Sequence, residues 1–165
     1  MPLTLYEISV PVFITNLKNL SKFLEKGRLH FSSKESALVE AKLIADMGGL
    51  SYQIQRVSDT AKGVAVRAGG AAPVSLPDNE TTFPQLQERI AKTIEILESV
   101  KEAEMNASEE KEVVLPSRSG EIKMSGKQYI LKFAIPNFYF HVCTAYAILR
   151  KEGVDVGKAD YLGRT

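Results

Sequence analysis

Apolar residues recur along this chain at alternating steps of three and four, and that spacing leaves few architectures open. Leu3, Tyr6, Val10, Phe13, Leu17, Leu20 and Leu24 form one series. Leu43, Met47, Leu50, Ile54, Val57 and Ala61 form a second, and Phe83, Leu86, Ile90, Ile94 and Leu97 a third. Each series puts a single greasy stripe on an α-helix. A fourth series, Ile130, Ala134, Asn137, His141, Thr144 and Ile148, keeps the spacing but is polar in its middle. Buried polar groups require partners, so a side chain, a water, a metal or a ligand must answer Asn137, His141 and Thr144.

A Ser/Thr-x-x-Glu/Gln pair marks the start of a helix when two side chains satisfy its first free amides. Such pairs precede the four series at Thr4/Glu7, Ser32/Glu35, Thr82/Gln85 and Ser125/Gln128. Pro11 is expected to kink the first helix or mark its true start, and Gly27 to stop it. The Gly48-Gly49 pair predicts a bend or break in the second, with Asp46 beside it, and that helix should end near Gly69-Gly70. Residues 71–81 read as a loop, and 101–112, charged and poor in apolar residues, as a solvated one. Val113-Val114-Leu115 and Glu121-Ile122-Lys123-Met124 flank Pro116 to Gly120, the pattern of a short hairpin. Pro136 should kink the last helix just before Asn137. The tail is irregular, with Val156, Tyr161 and Leu162 available to pin it to the bundle. The expectation is one all-α domain over residues 1–165, a four-helix bundle with a short β-hairpin before its last helix, and such bundles build sites between facing helices.

Composition narrows the function. The chain has 165 residues, enough for one compact domain with its own core. Its 21 Lys and Arg against 20 Asp and Glu provide no basic field for nucleic acid. The single cysteine, Cys143, forms no internal disulfide, no apolar run is long enough to span a bilayer, and Glu7 and Pro11 interrupt anything like a signal peptide. A cytoplasmic protein is the expectation, with no nucleic-acid or membrane partner.

The run Pro136-Asn137-Phe138-Tyr139-Phe140-His141, with Thr144-Ala145-Tyr146 and Ile148-Leu149-Arg150, resembles the DinB-like (YfiT-like) superfamily of four-helix-bundle metalloenzymes. Ser9 to Phe13, Ala61-Lys62-Gly63, Glu80 to Phe83 with Leu86, and Gly157-Lys158 resemble an uncharacterised bacterial and fungal branch of it. The resemblance covers nearly the whole chain. It implies a divalent metal held by three histidines, one from the second helix and two at i, i+4 from the last. Here the last-helix pair is Asn137 and His141, and the second-helix position falls near Gln53 or Gln55, of which Gln53 lies closer to the core stripe. His30 stands outside the pattern.

One imidazole with amide oxygens is a poor ligand set for zinc or nickel, so no metal or other cofactor is expected. The leading expectation is a small-molecule pocket centred on His141, where an imidazole of ordinary pKa ~6.5 suits metal-independent acid/base chemistry such as isomerisation, cyclisation or hydrolysis. Asp46 would orient or charge His141, or else cap the segment after Gly49. Gln53, Asn137, Thr144 and Tyr146 would hold a polar ligand. The competing readings are a buried histidine that only locks the bundle's register, a non-catalytic homodimer joined through an exposed helix face, and a residual divalent-metal-dependent transferase or isomerase. Phe133 and Phe138 are expected in the core, Tyr139 and Phe140 on other sides, and Cys143 as a small buried residue rather than a nucleophile.

Overall fold

The computed structural model describes residues 2–31, 35–117 and 119–164. Helix α1 runs Val10–His30, α2 Glu35–Glu40, α3 Leu50–Arg67, α4 Phe83–Glu98 and α5 Glu102–Ala107. Strands β1, Glu112–Ser117, and β2, Gly120–Ser125, form an antiparallel hairpin in which Val113 pairs with Met124 and Leu115 with Ile122. A single turn, α6 (Gly126–Gln128), leads through a π-helical turn (Tyr129–Ala134) into α7, Ile135–Lys151, and α8, Lys158–Tyr161, closes the chain. The long helices α1, α3, α4 and α7 make the bundle: α3 packs on both α4 and α7, and α1 packs on α4 and α7 from the other side. The mainly helical fold with its hairpin before the last long helix is the one the sequence predicts.

Local chemistry accounts for the helix starts. Thr82 caps α4 with a reciprocal box, its hydroxyl accepting from Gln85 N while the Gln85 amide accepts from Thr82 N. Ser125 and Gln128 make the same exchange ahead of α6. The Thr4/Glu7 box also forms, but it holds the turn before α1, which begins at Val10 with Pro11 in its first turn. Pro11 therefore marks the true start, where a missing N–H costs nothing. Ser32 of the fourth box lies outside the described residues.

The Gly48-Gly49 break is real and larger than a bend. Residues 41–49 are irregular, and Gly49 caps α3. A Cβ on Gly49 would lie 2.8 Å from the Glu40 carbonyl oxygen, and one on Gly48 would run into the Tyr52 ring. The pair lets the end of α2 fold tightly over the start of α3. Leu43, read as part of the second stripe, is exposed as a result, as Leu3 is at the head of the first.

Several expectations need correction. Gly27 does not stop α1: the helix continues a turn past it, and the missing side chain lets Leu149 and Leu38 approach, since a Cβ there would sit 2.9 Å from one and 3.3 Å from the other. Residues 101–112 are not a loop, because Met105 is fully buried and anchors α5 to the core. Cys143 is exposed rather than buried, with Sγ 3.5 Å from the Tyr161 hydroxyl. The tail is held by Val154, Val156 and the Lys26–Asp160 ion pair at 2.5 Å, while Leu162 stays exposed.

The last correction concerns the approach to α7. Pro136 lies in the first turn of α7, directly after the π turn. Its ring would press on the carbonyl one turn back and it offers no N–H, so a wider i→i+5 turn upstream relieves both demands. A π turn advances less than the roughly 100° per residue of an α-helix. The two members of the fourth series in this segment, Ile130 and Ala134, are fully buried as the spacing predicts; Tyr129 is fully buried as well, but Phe133, expected in the core, is 41% exposed and stacks on it at 5.9 Å. Phe138 is buried against Phe13 as expected.

Candidate functional site

Besides its apolar stripe, α3 carries a second series at steps of three and four: Gln53, Arg56, Thr60, Gly63 and Arg67. This stripe faces the polar side of α7 and the π turn. Three cross-helix contacts join them like rungs. His141 Nδ1 meets Gln53 Oε1 at 2.7 Å, Asn137 Nδ2 donates to Thr60 Oγ1 at 2.7 Å, and Arg67 Nη1 donates to the Tyr129 hydroxyl at 3.3 Å. The hairpin lies alongside, and Leu115, Pro116, Ile122 and Met124 form an apolar wall. Between wall and rungs is a cleft of about 480 Å³.

Two of the rungs have a fixed direction. The Gln53 amide nitrogen donates to the Gly48 carbonyl at 2.8 Å, so Oε1 is the end that faces His141. An amide oxygen only accepts, so Nδ1 carries the proton and the neutral ring keeps its lone pair on Nε2. In the same way, the Thr60 hydroxyl donates to the Arg56 carbonyl at 2.7 Å and must accept from Asn137, which leaves Asn137 Oδ1 as a spare acceptor. Among the described residues the only buried side-chain polar atoms without a partner are Arg56 Nε and Arg89 Nε. His141 Nε2 and Asn137 Oδ1, which bond to nothing among the described residues, are therefore reached by solvent.

Burial, and then the nearby positive charge of Arg56, lower the His141 pKa to about 4. The ring is neutral at pH 7. Arg56 itself is held over the Tyr52 ring at 5.2 Å, pairs with Asp59 at 2.9 Å and contacts Asp78. Asp59 also receives Lys62 at 3.1 Å and the buried Arg89 at 2.9 Å. Arg89 in turn pairs with Asp78 and Glu80 and donates to the Pro77 carbonyl, tying the 71–81 loop to the bundle. Burial pushes the Glu80 carboxyl up, but hydrogen bonds from Arg89 and Gln55 outweigh it and hold the group below its ordinary value.

The structure brings together His141, Gln53 and Asn137, and separates the other expected residues from them. Gln55 turns to Glu80 at 2.9 Å, leaving Gln53 as the partner of His141. Asp46 is exposed and makes no hydrogen bond or ion pair with His141. Thr144 is buried and returns its hydroxyl to the Phe140 carbonyl at 2.7 Å. Tyr146 packs edge-on against Phe23 and Tyr161, with its hydroxyl 3.4 Å from the Val156 carbonyl. Neither Thr144, Tyr146 nor Asp46 lines the cleft. Sequence reasoning missed Arg56, Thr60, Arg67 and Tyr129. The first three were legible as the polar stripe of α3; Tyr129 was hidden by the π turn.

The ligand set fits no transition metal. Gln53 Oε1 is committed to His141, Asn137 contributes at most an amide oxygen, and among the described residues no three His, Cys, Asp or Glu side chains converge.

The mainly helical bundle with a hairpin leading into its last long helix is a DinB-like fold. A crystal structure of a DinB family member from Shewanella denitrificans superposes with a TM-score of 0.88 at 38% identity, over 96% of this chain and 92% of that one. Residues 5–162 match the family described as a domain of unknown function, DUF1993, and the chain belongs to that family. No curated protein matches it. Among the described residues no helix is long and apolar enough to cross a membrane.

Proposed function

We propose that the cleft between α3, α7 and the hairpin binds a small organic molecule, with His141 Nε2 as its central acceptor. The observation that carries this reading is the chain from the Gly48 carbonyl through Gln53 to His141 Nδ1. It presents a neutral imidazole in one tautomer, with its lone pair open to solvent. A histidine that only locked register would need no open nitrogen. Asn137 Oδ1 supplies a second acceptor, so the ligand offers donors at both.

With its pKa near 4, His141 acts first as a hydrogen-bond acceptor. General-base catalysis works best when the base titrates near the working pH, so metal-independent proton transfer would require a ligand whose own charge raises the imidazole pKa. Binding is accordingly the primary role and acid/base catalysis the secondary one.

The test is a fragment screen by amide NMR on the full chain, with His141→Ala as control. Ligands that shift cleft resonances and are lost in a cooperatively folding His141→Ala protein support the reading. Ligands unaffected by the substitution, or none, overturn it. The alternative of a non-catalytic homodimer rests on Phe140, 57% exposed on α7. Light scattering that shows a dimer abolished by Phe140→Ser would favour it.

A further inference from the structure

We infer that the ligand of this cleft is an elongated amphipathic carboxylate, with its carboxylate on Arg67 and its apolar body along the hairpin wall. The inference rests on the proposed binding role of the cleft and specifies the chemistry of what it takes.

The charges in the cleft are unequally compensated. Three charged side chains line it: Arg56, Asp59 and Arg67. Asp59 and Asp78 neutralise Arg56, and Asp59 is further shared with Lys62 and Arg89. Arg67 has no carboxylate partner among the described residues. Its one hydrogen bond goes to a neutral phenol, Tyr129, over whose ring the guanidinium lies at 5.9 Å. Burial raises the pKa of that phenol, and it stays protonated. An Arg fork held by one N–H keeps its others free, and a carboxylate is the planar acceptor that matches it.

The position of Arg67 is built rather than incidental. The side chain folds back along α3 over Gly63. A Cβ on Gly63 would collide with Arg67 Nη1 and would come within 3.0 Å of the Tyr129 hydroxyl. Glycine at this helical position sacrifices roughly 1 kcal/mol of propensity, and what it provides is room for the guanidinium at the mouth of the cleft. Arg67 is the last residue of α3, where the helix's carbonyl end adds negative potential, and a single guanidinium there suits one negative charge better than a phosphate dianion.

The length and polarity of the ligand follow from the rungs. Arg67–Tyr129 and Gln53–His141 lie at opposite ends of the α3/α7 seam, with Thr60–Asn137 between them. Gln53 and Gly63 are ten residues apart, roughly 15 Å along a helix. A ligand that reaches from Arg67 toward His141 is therefore extended. Leu115, Ile122, Met124 and Phe133 bound one side of the space on the way, so the face the ligand turns to the hairpin is apolar.

The experiment compares 4-phenylbutyrate with its uncharged isostere 4-phenylbutanamide, titrated by NMR into the full-length protein, into Arg67→Met and into Arg67→Lys. The expected result is that the wild type prefers the carboxylate by about tenfold, the gain of a charge-assisted hydrogen bond over a neutral one. Arg67→Met should abolish the preference, the acid losing more affinity than the amide, and Arg67→Lys should restore part of it. Arg67 is exposed, so both variants are expected to fold, and thermal unfolding checks this. Equal binding of acid and amide by the wild type overturns the carboxylate assignment and leaves the cleft's binding role standing. Binding of neither overturns the carboxylate assignment, and the fragment screen decides the cleft's binding role separately. Displacement of 4-phenylbutyrate by equimolar inorganic phosphate replaces the carboxylate with a phosphate as the favoured anion and so overturns the assignment.

Discussion

The amide oxygen of Gln53 accepts from Nδ1 of His141 at 2.7 Å, and the same amide donates from its nitrogen to the Gly48 carbonyl. A helix break, an amide and an imidazole thus act as one unit that fixes where the proton sits. The lowered pKa of His141 makes this unit visible in stability. In the folded protein the group titrates at about 4, and in the unfolded chain near 6.5. Between those values the unfolded chain binds more protons, so stability rises with pH. The contribution is fully present above about pH 6.5 and lost below about pH 4, and amounts to about 3 kcal/mol at most. Chemical denaturation of wild type and His141→Asn across this range should show the wild type losing ground as the pH falls. Parallel curves would mean that His141 titrates normally.

Gly49 is constrained by its surroundings rather than by its dihedral angles. Gly49→Ala is expected to cost about 1–3 kcal/mol, because the new methyl meets the Glu40 backbone carbonyl, which has no freedom to swing away. A urea midpoint equal to that of the wild type would show that the α2–α3 connection can open without loss.

Arg89 is a charge placed on the core side of α4, three residues after Leu86. It holds Asp59, Asp78 and Glu80 together. Arg89→Leu leaves those carboxylates without their buried partner, and the expected loss is about 3–5 kcal/mol. Arg89→Lys should rescue little, since one ammonium cannot reproduce the fork. The check is equilibrium unfolding of both variants. A loss below 1 kcal/mol would show that Arg56 and Lys62 suffice to hold the loop.

Metal content separates the binding reading from the superfamily's metal chemistry. Elemental analysis of untagged protein should find less than stoichiometric zinc, nickel, manganese and iron, in wild type and His141→Ala alike. Near-stoichiometric metal lost on His141→Ala would establish a mixed-ligand site that includes His141 and would overturn the metal-independent reading.

The chain's own pattern was enough to place α1, α3, α4, the hairpin and α7, because alternating three–four spacing and two reciprocal caps are local signals that need no knowledge of neighbours. It also placed His141, Asn137 and Gln53 on inward faces. What it could not convey was which polar groups meet. Gln53 and Gln55 differ by two residues, about 200° around a helix, and only the crossing of α3 with α7 decides that Gln53 meets His141 and Gln55 meets Glu80. Asp46 shows the opposite failure: nearness in sequence to the Gly48-Gly49 break suggested a place in the site, and the break itself left it in solvent.

The π turn marks the sharpest division. Periodicity carried through residues 129–134 buries Ile130 and Ala134, as the structure does, but does not convey that Tyr129 is fully buried while Phe133 lines the cleft. By itself the sequence determined the helices, their greasy faces and the presence of an unsatisfied polar stripe, because those depend on residue spacing alone. Only the tertiary structure decided the three rungs, the tautomer of His141 and the pairing of the Arg67 guanidinium with a phenol rather than a carboxylate among the described residues, because each depends on how far apart two helices lie and which of their side chains come within hydrogen-bond reach.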